Sequence, residues 1–190
     1  MTVSIKLIFL FVFSFVYASG CGQVKTNDTT TNSNDSTPRH DELSISEFKK
    51  QVPPARGWIN DFANILSDQE IKKLDSIASR FEKNTSIEIA VVTLDSNYTN
   101  ANEFDNYSLI LAMKWGIGKK EKNNGILIAM SPDLRRMRIR NGSGLNKLIT
   151  DSETQQIIDE FSLPQFRNGL FFEGFQSTIL ELIKKLEEKD

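Results

Sequence analysis

The sequence predicts an α/β domain, a three-layer α/β/α sandwich around a small central mixed β-sheet. Three observations lead there. Helical and extended hydrophobic periods alternate along residues 54–190. Two near-continuous apolar runs, Ile87 to Asp95 and Gly125 to Ser131, have the composition of strands covered on both faces. One helical pattern lies between them, so the pair forms a β-α-β unit with parallel strands and a right-handed crossover. The stretch is long enough for one compact domain with a sizeable core, and it carries no internal repeat.

The elements follow in order. SDQEIKKLDSIASRF, Ser67 to Phe81, opens on a capping box, in which Ser67 accepts from the backbone of Glu70 and the Glu70 carboxylate reaches back. Ile71, Leu74, Ile77, Ala78 and Phe81 then recur at helical spacing, which gives the helix one buried stripe. After the first strand, Asn102 to Trp115 sets Phe104, Tyr107, Ile110, Leu111 and Trp115 on one side of a second helix. GILIAMS, Gly125 to Ser131, is the second strand, and Pro132 and Asp133 turn the chain back. LRRMRIR, Leu134 to Arg140, alternates apolar and basic residues and is expected to run antiparallel with one wet face. Two helices complete the set, about Asp151 to Phe161 and Leu170 to Lys189, the last with Phe171, Phe175, Ile179, Leu182 and Leu186 on one stripe. GWINDFANILS, Gly57 to Ser67, shows no period and predicts no element.

The N-terminus points to a compartment. Residues 1–20 combine Lys6, an apolar run from Leu7 to Tyr17 and small residues before Cys21, as in a secretory leader. The run is short for crossing roughly 30 Å of hydrocarbon. ASGC, Ala18 to Cys21, looks like a bacterial lipobox, and the lone cysteine then becomes a lipid anchor. The other reading is an ordinary cleaved leader with a stray thiol. Residues 21–53 are expected to form the lipidated cysteine and a polar tether, because GQVKTNDTTTNSNDSTPRHDE offers too little apolar surface to offset chain entropy. The folded domain is placed at 54–190. Gly22 follows Cys21, which favours an outer-membrane anchor facing the periplasm if the cell has two membranes.

Composition removes several chemistries. The only histidine, His40, lies in the tether, so the domain has neither cysteine nor histidine. Imidazole-activated nucleophiles, thiolate zinc sites and phosphohistidine mechanisms all need residues that it lacks. The 23 basic and 25 acidic side chains nearly cancel and are scattered, so no nucleic-acid footprint is expected. Oxygen ligands remain the main chemical resource.

Topology gathers some of them. The antiparallel strand ends at Asn141, the same sheet edge as the loop before Gly125. KKEKNN, NGSGL and ITDSE are therefore expected to meet there. KWGIGKKEKNNG is not a Walker loop, because a helix ends at Gly116 and a strand begins at Gly125, the reverse of the order that supplies helix N-terminal amides. Gly116 and Gly118 read as a helix stop. NGSGLNK has the correct order, but Lys147 stands where a third glycine belongs, so a close backbone turn is favoured over anion binding. Asn123, Asn124 and Asp151 place hard donors at this edge, as Ca2+ or Mg2+ requires. Spacing alone leaves simpler roles open: Asn124-Gly125 is an ordinary turn dipeptide, and Asp151 could cap its helix. Asp61 is either a further ligand or the centre of a local Asx turn. Asp95, ending a strand at the opposite edge, is a secondary candidate.

Five segments, GWINDFANILS, IEIAVVTLDS, KWGIGKKEKNNGILIAMS, RIRNGSGLNKLITD and PQFRNGLFFEGF, occur in an order that resembles the TPM domain family, over about Pro54 to Lys185. The family occurs in thylakoid-lumen proteins linked to photosystem II repair and in many bacterial envelope proteins. The resemblance implies an α/β/α sandwich and divalent-cation binding, with acid phosphatase activity reported for some members. By position it implies metal ligation at Asp61 in NDFA, Asn123 and Asn124 in KNNG and Asp151 in ITD. One departure is Leu170, where an acidic residue often follows the Arg-x-Gly stretch. The expected function is a membrane-tethered Ca2+- or Mg2+-binding module that acts on other envelope proteins. The alternative is a metal-dependent phosphatase of phosphomonoesters, with Lys119, Lys120 or Lys122 attracting the anion.

Overall fold

The computed structural model describes residues 52–189. The expected leader, Cys21 and the tether up to residue 51 lie outside the described residues. Residues 38–190 cluster as one unit, and the described core runs from Val52 to Leu186. This segment thus holds the determinants of its own folding. Among the described residues no helix is long and apolar enough to cross a membrane.

The chain enters with β1 (Ile59–Asp61), α1 (Asp68–Thr85) and β2 (Glu88–Thr93), followed by α2 (Phe104–Trp115) and the hairpin of β3 (Gly125–Ser131) and β4 (Arg136–Asn141). A short 3-10 turn (Ser143–Leu145) leads to α3 (Asp151–Ile157), a π-helical turn (Ile158–Ser162), α4 (Leu163–Arg167) and α5 (Phe171–Glu187). The sheet order is β1-β2-β3-β4. β1–β2 and β2–β3 are parallel, and β3–β4 is antiparallel.

Alternation along the strands builds two cores. Ile89, Val91, Ile126, Ile128, Met137 and Ile139 face the layer formed by α1, α3 and α5, where Leu74, Phe81, Phe175, Ile179 and Leu182 meet them. Ala90, Val92, Leu127 and Ala129 face Phe104, Tyr107, Ile110 and Leu111 of α2 on the other side. The result is a mixed α/β sandwich of three layers. Val52 joins the second core, and Trp115 Nε1 donates to the Pro53 carbonyl at 2.8 Å. The folded domain therefore already includes two residues that the sequence assigns to the tether.

Local signals were well matched. Ser67 and Glu70 form both halves of the capping box on α1. Gly116 ends α2 in the left-handed region at φ +63°, its N–H reaching the Ala112 and Met113 carbonyls. The wet face of β4 is covered by charge-assisted bonds. Arg138 Nε and Nη2 grip the Asp105 carboxylate at 2.6 and 2.8 Å, and Arg140 donates to Ser108 Oγ at 3.0 Å and to the Asp105 carbonyl at 2.6 Å. The Arg138 hydrogen bonds hold the Asp105 carboxyl below the usual carboxylate range. A depressed carboxylate contributes stability above its unfolded-state value and loses it as pH falls through the lowered one. Asp105→Asn is thus expected to cost about 1 kcal/mol at neutral pH, after allowance for solvent screening. The deficit against the parent shrinks on acidification, as thermal melts at a series of pH values would read.

Two elements differ from expectation. β1 is only three residues long, too short to show a period. The helix expected over Asp151 to Phe161 does not stop there, because a π turn carries it into α4. Pro164 has no N–H to give and its ring crowds the carbonyl one turn back, so the winding widens just ahead of it. The Ser162 and Thr178 hydroxyls, 2.6 Å apart, tie that turn to α5.

Candidate metal centre

The edge at the start of β3 is built by two loops packed backbone to backbone. Gly142 N–H donates to the Gly125 carbonyl at 2.8 Å, and Gly144 N–H to the Asn123 carbonyl at 3.0 Å. A Cβ added at Gly142 would sit 2.0 Å from the Asn123 oxygen, and one at Gly144 1.8 Å from the Lys122 oxygen. These glycines exist for a close crossing of the chain with itself. The room that a phosphate would need is filled by carbonyl groups, in line with the backbone-turn reading of NGSGLNK.

Asn124 is the buried pin of the crossing. Its Oδ1 accepts from Lys119 N–H at 2.9 Å, its Nδ2 donates to the Ser86 carbonyl at 2.8 Å, and its own carbonyl accepts from Glu88 N–H at 3.2 Å. The side-chain oxygen is committed to the loop. Asn123 stands beside it at φ +46°, exposed, and its carboxamide has no hydrogen bond among the described residues. Asp151 is the first residue of α3, next to the capping box of Thr150 and Glu153, and is exposed. The Glu153 carboxyl is drawn down to about 2 by its hydrogen bonds with Lys189 and Thr150. Burial lowers the Arg140 guanidinium from its usual range, while the charges of Asp105 and Asp151 pull it back up, which places Asp151 within electrostatic reach of β4.

Sequence reasoning missed Asn141. It occupies the apolar register of β4, in phase with Met137 and Ile139, and a carboxamide at such a position is the signal that could have found it. Thr154 Oγ1 gives its hydrogen to the Thr150 carbonyl at 2.9 Å, so it can only accept from Asn141 Nδ2, at 2.8 Å. The Asn141 Oδ1 is thereby turned away from Thr154, buried and without a hydrogen-bond partner. Asp151 lies one turn before Thr154 on the same side of α3.

Two of the lysines at this edge are engaged within the domain. Lys119 Nζ lies 2.7 Å from both Glu82 and Glu88, and these hydrogen bonds hold its ammonium above the usual lysine range. Lys122 Nζ donates to Ser86 Oγ at 2.9 Å.

Asp61 is not part of this edge, which corrects the gathering of Asp61 with Asn123, Asn124 and Asp151 in one site. β1 runs parallel to β2, with Asp61 opposite Thr93 and Thr93 opposite Met130. Gly125 pairs with Glu88 at the other end, five residues along β3, a separation of about 17 Å at roughly 3.3 Å per residue. The Asp61 carboxylate accepts from the N–H groups of Ile65 and Leu66, at 3.3 and 2.9 Å, and from the Thr93 hydroxyl. It closes the turn into α1, the Asx-type role. Asp95, at the same far edge, accepts from Asn97 N–H at 2.9 Å, and nearby Asp133 from Ser96 N–H at 3.1 Å. Among the described residues no three His, Cys, Asp or Glu side chains come together as a metal group.

Calcium takes six to eight oxygens. At the β3 edge the side-chain oxygens without a partner among the described residues include the Asp151 and Glu121 carboxylates, the Asn141 Oδ1 and the Asn123 carboxamide. That donor set fits a hard cation that keeps most of its water, and does not fit a tightly caged one.

The comparisons agree with this architecture. The solution structure of the N-terminal domain of a protein from P. gingivalis superimposes with a TM-score of 0.64 at 29% identity, covering 74% of this chain and 88% of that one. The solution structure of the BA42 protein from the psychrophilic bacterium Bizionia argentinensis gives 0.57 at 22% identity, with 67% and 86% covered, and bears on the fold alone. No curated protein matches. The TPM domain model matches residues 59–185, from β1 to the last turns of α5, and the chain belongs to the TPM domain family.

Proposed function

We propose that this domain is a weak Ca2+- or Mg2+-binding module of the bacterial cell envelope, tied to a membrane by lipid on Cys21 and acting on other envelope proteins. The observation that carries the reading is the buried, unpartnered Asn141 Oδ1, on a side chain whose amide donates to Thr154, one helical turn after the exposed Asp151. A buried acceptor with nothing to accept is costly, and a hydrated cation or its water held by Asp151 would satisfy it. Such a cation supplies positive charge at the loop crossing, where a partner's carboxylates would find it. The Asn141 carboxamide orients an oxygen, Asp151 adds a carboxylate with no hydrogen bond or ion pair among the described residues, and the Gly142 to Gly144 crossing keeps the two segments in register. Asn124 and Asp61 contribute by holding the backbone and stand outside the ligand set. The phosphatase alternative needs cations for its substrate, and of the three candidate lysines Lys119 and Lys122 are committed to Glu82, Glu88 and Ser86, which leaves Lys120 alone for that role.

Calorimetric titration of residues 38–190 with calcium is expected to give a dissociation constant in the range of about 0.1–1 mM, typical of extracellular modules. Asp151→Asn should weaken binding at least about tenfold, a loss of some 1.4 kcal/mol. Asp61→Asn should leave it unchanged while lowering the melting temperature. An Asp61-dependent, Asp151-independent isotherm would move the site to the other edge, and no heat at millimolar calcium would end the reading.

A further inference from the structure

At the hairpin end of the sheet, away from the β3 edge, the turn between β3 and β4 and the turn between α4 and α5 enclose a cleft of about 560 Å³. This is the size range of sites for small organic ligands. Its floor is apolar, with Met130, Met137, Phe166 and Phe171, and the wall is preformed. Gly174 on α5 lets the Phe166 ring lie where a Cβ would be 2.3 Å from its edge, and Phe175 packs on the same ring at a centroid distance of 5.0 Å.

The rim has the opposite character. Arg135 and Arg136 from the hairpin and Arg167 from the end of α4 line the cleft, and no acidic residue does. All three are exposed, and none has an ion-pair partner among the described residues. Several basic side chains elsewhere in the domain are matched, Arg138 by Asp105, Lys119 by Glu82 and Glu88, and Lys189 by Glu153. Arg136 is in strand phase with Arg138 and Arg140 and its charge reaches Asp105, which leaves Arg135 and Arg167 as the rim charges without an acidic neighbour lining the cleft. Guanidinium forks match phosphate and carboxylate oxygens in paired hydrogen bonds. Ser131 also lines the cleft, fully buried, and its Oγ accepts from Leu134 N–H at 3.4 Å, which leaves its hydrogen to donate.

We propose that this cleft binds a free single-chain anionic amphiphile, its phosphate or carboxylate head on Arg135 and Arg167 and its apolar tail on the Phe166 and Phe171 wall. Net charge complementarity selects the head, and the floor selects against a bare inorganic anion. The volume suits one short chain and not the two chains of a bilayer lipid. The site is independent of the cation reading, and the two are tested separately.

The test is calorimetry on residues 38–190 in the presence of EDTA, so that no metal bridges the anion. Octyl phosphate is expected to bind at least about tenfold more tightly than inorganic phosphate, because several methylenes leave water at about 0.8 kcal/mol each when fully buried. Ethyl phosphate should fall between them, and octyl glucoside should not bind. A variant combining Arg135→Ala and Arg167→Ala, both exposed and checked for an unchanged melt, should lose at least about tenfold in affinity for octyl phosphate. Equal affinity for octyl and inorganic phosphate, an unaffected double variant, or binding of octyl glucoside would each overturn the proposal. So would arginine-dependent sedimentation with phosphatidic acid vesicles but no response to octyl phosphate, which would assign the arginines to a bilayer surface.

Discussion

Gly125→Ala is expected to destabilise the domain by about 4 kcal/mol or more, enough to leave most of it unfolded at 37 °C if its total stability is ordinary. The added Cβ would lie 2.2 Å from the Ile117 carbonyl oxygen and 2.6 Å from the Gly118 nitrogen. Both are backbone atoms, so no rotamer change relieves the overlap. Either β3 slips away from β2, where Gly125 pairs with Glu88, or the loop from Ile117 lifts off and exposes the end of the second core. Urea denaturation of residues 38–190 would read the loss. Gly116→Ala provides the contrast. Nothing lies within 4 Å of a Cβ there, but φ is +63°, so the cost is the left-handed penalty of about 1–2 kcal/mol. A Gly125 variant no worse than the Gly116 variant would mean that the loop crossing is loose and that the edge is free to open around a ligand.

That contrast explains why some of the molecule was legible in its sequence and some was not. The capping box of α1, the apolar strands β2 and β3 and the Gly116 stop are local events, each decided by residues within a few positions of one another. The parallel order of β2 and β3 followed from a single helix lying between them. β1 could not be read, because a three-residue strand has no period and is fixed by pairing with Val91, Val92 and Thr93 far along the chain. With β1 unread, Asp61 had no edge, and the family resemblance placed it among residues about a strand's length away. At the β3 edge the right segments were named. The division of labour among their oxygens was not, since chain identity does not reveal that Asn124 turns inward and Asn141 is the amide left without a partner. The arginines of LRRMRIR read as one wet face, and the structure keeps Arg136, Arg138 and Arg140 in one phase near Asp105 while Arg135, in the turn, joins Arg167 at the cleft.

Asn124 is where the two accounts of the β3 edge part most sharply. As a pin it holds Lys119 N–H and the Ser86 carbonyl from a buried position, and its removal leaves both groups unpaired in a site too enclosed for bulk water. Each unsatisfied buried group costs about 1–3 kcal/mol, so Asn124→Ala is expected to lose about 3 kcal/mol in urea denaturation. Asn124→Asp is the more telling substitution. A carboxylate keeps the acceptor for Lys119 N–H but offers no donor to Ser86, and it sets a charge against that carbonyl in a buried place. If Asn124 only pins the loop, the aspartate variant is destabilised at every calcium concentration and binds calcium no better than the parent. If it were a ligand, exchanging a carboxamide for a carboxylate would strengthen binding, and saturating calcium would restore the lost stability through mass action. Since the Asn124 oxygen is already spent on Lys119, calcium is expected to rescue nothing in this variant.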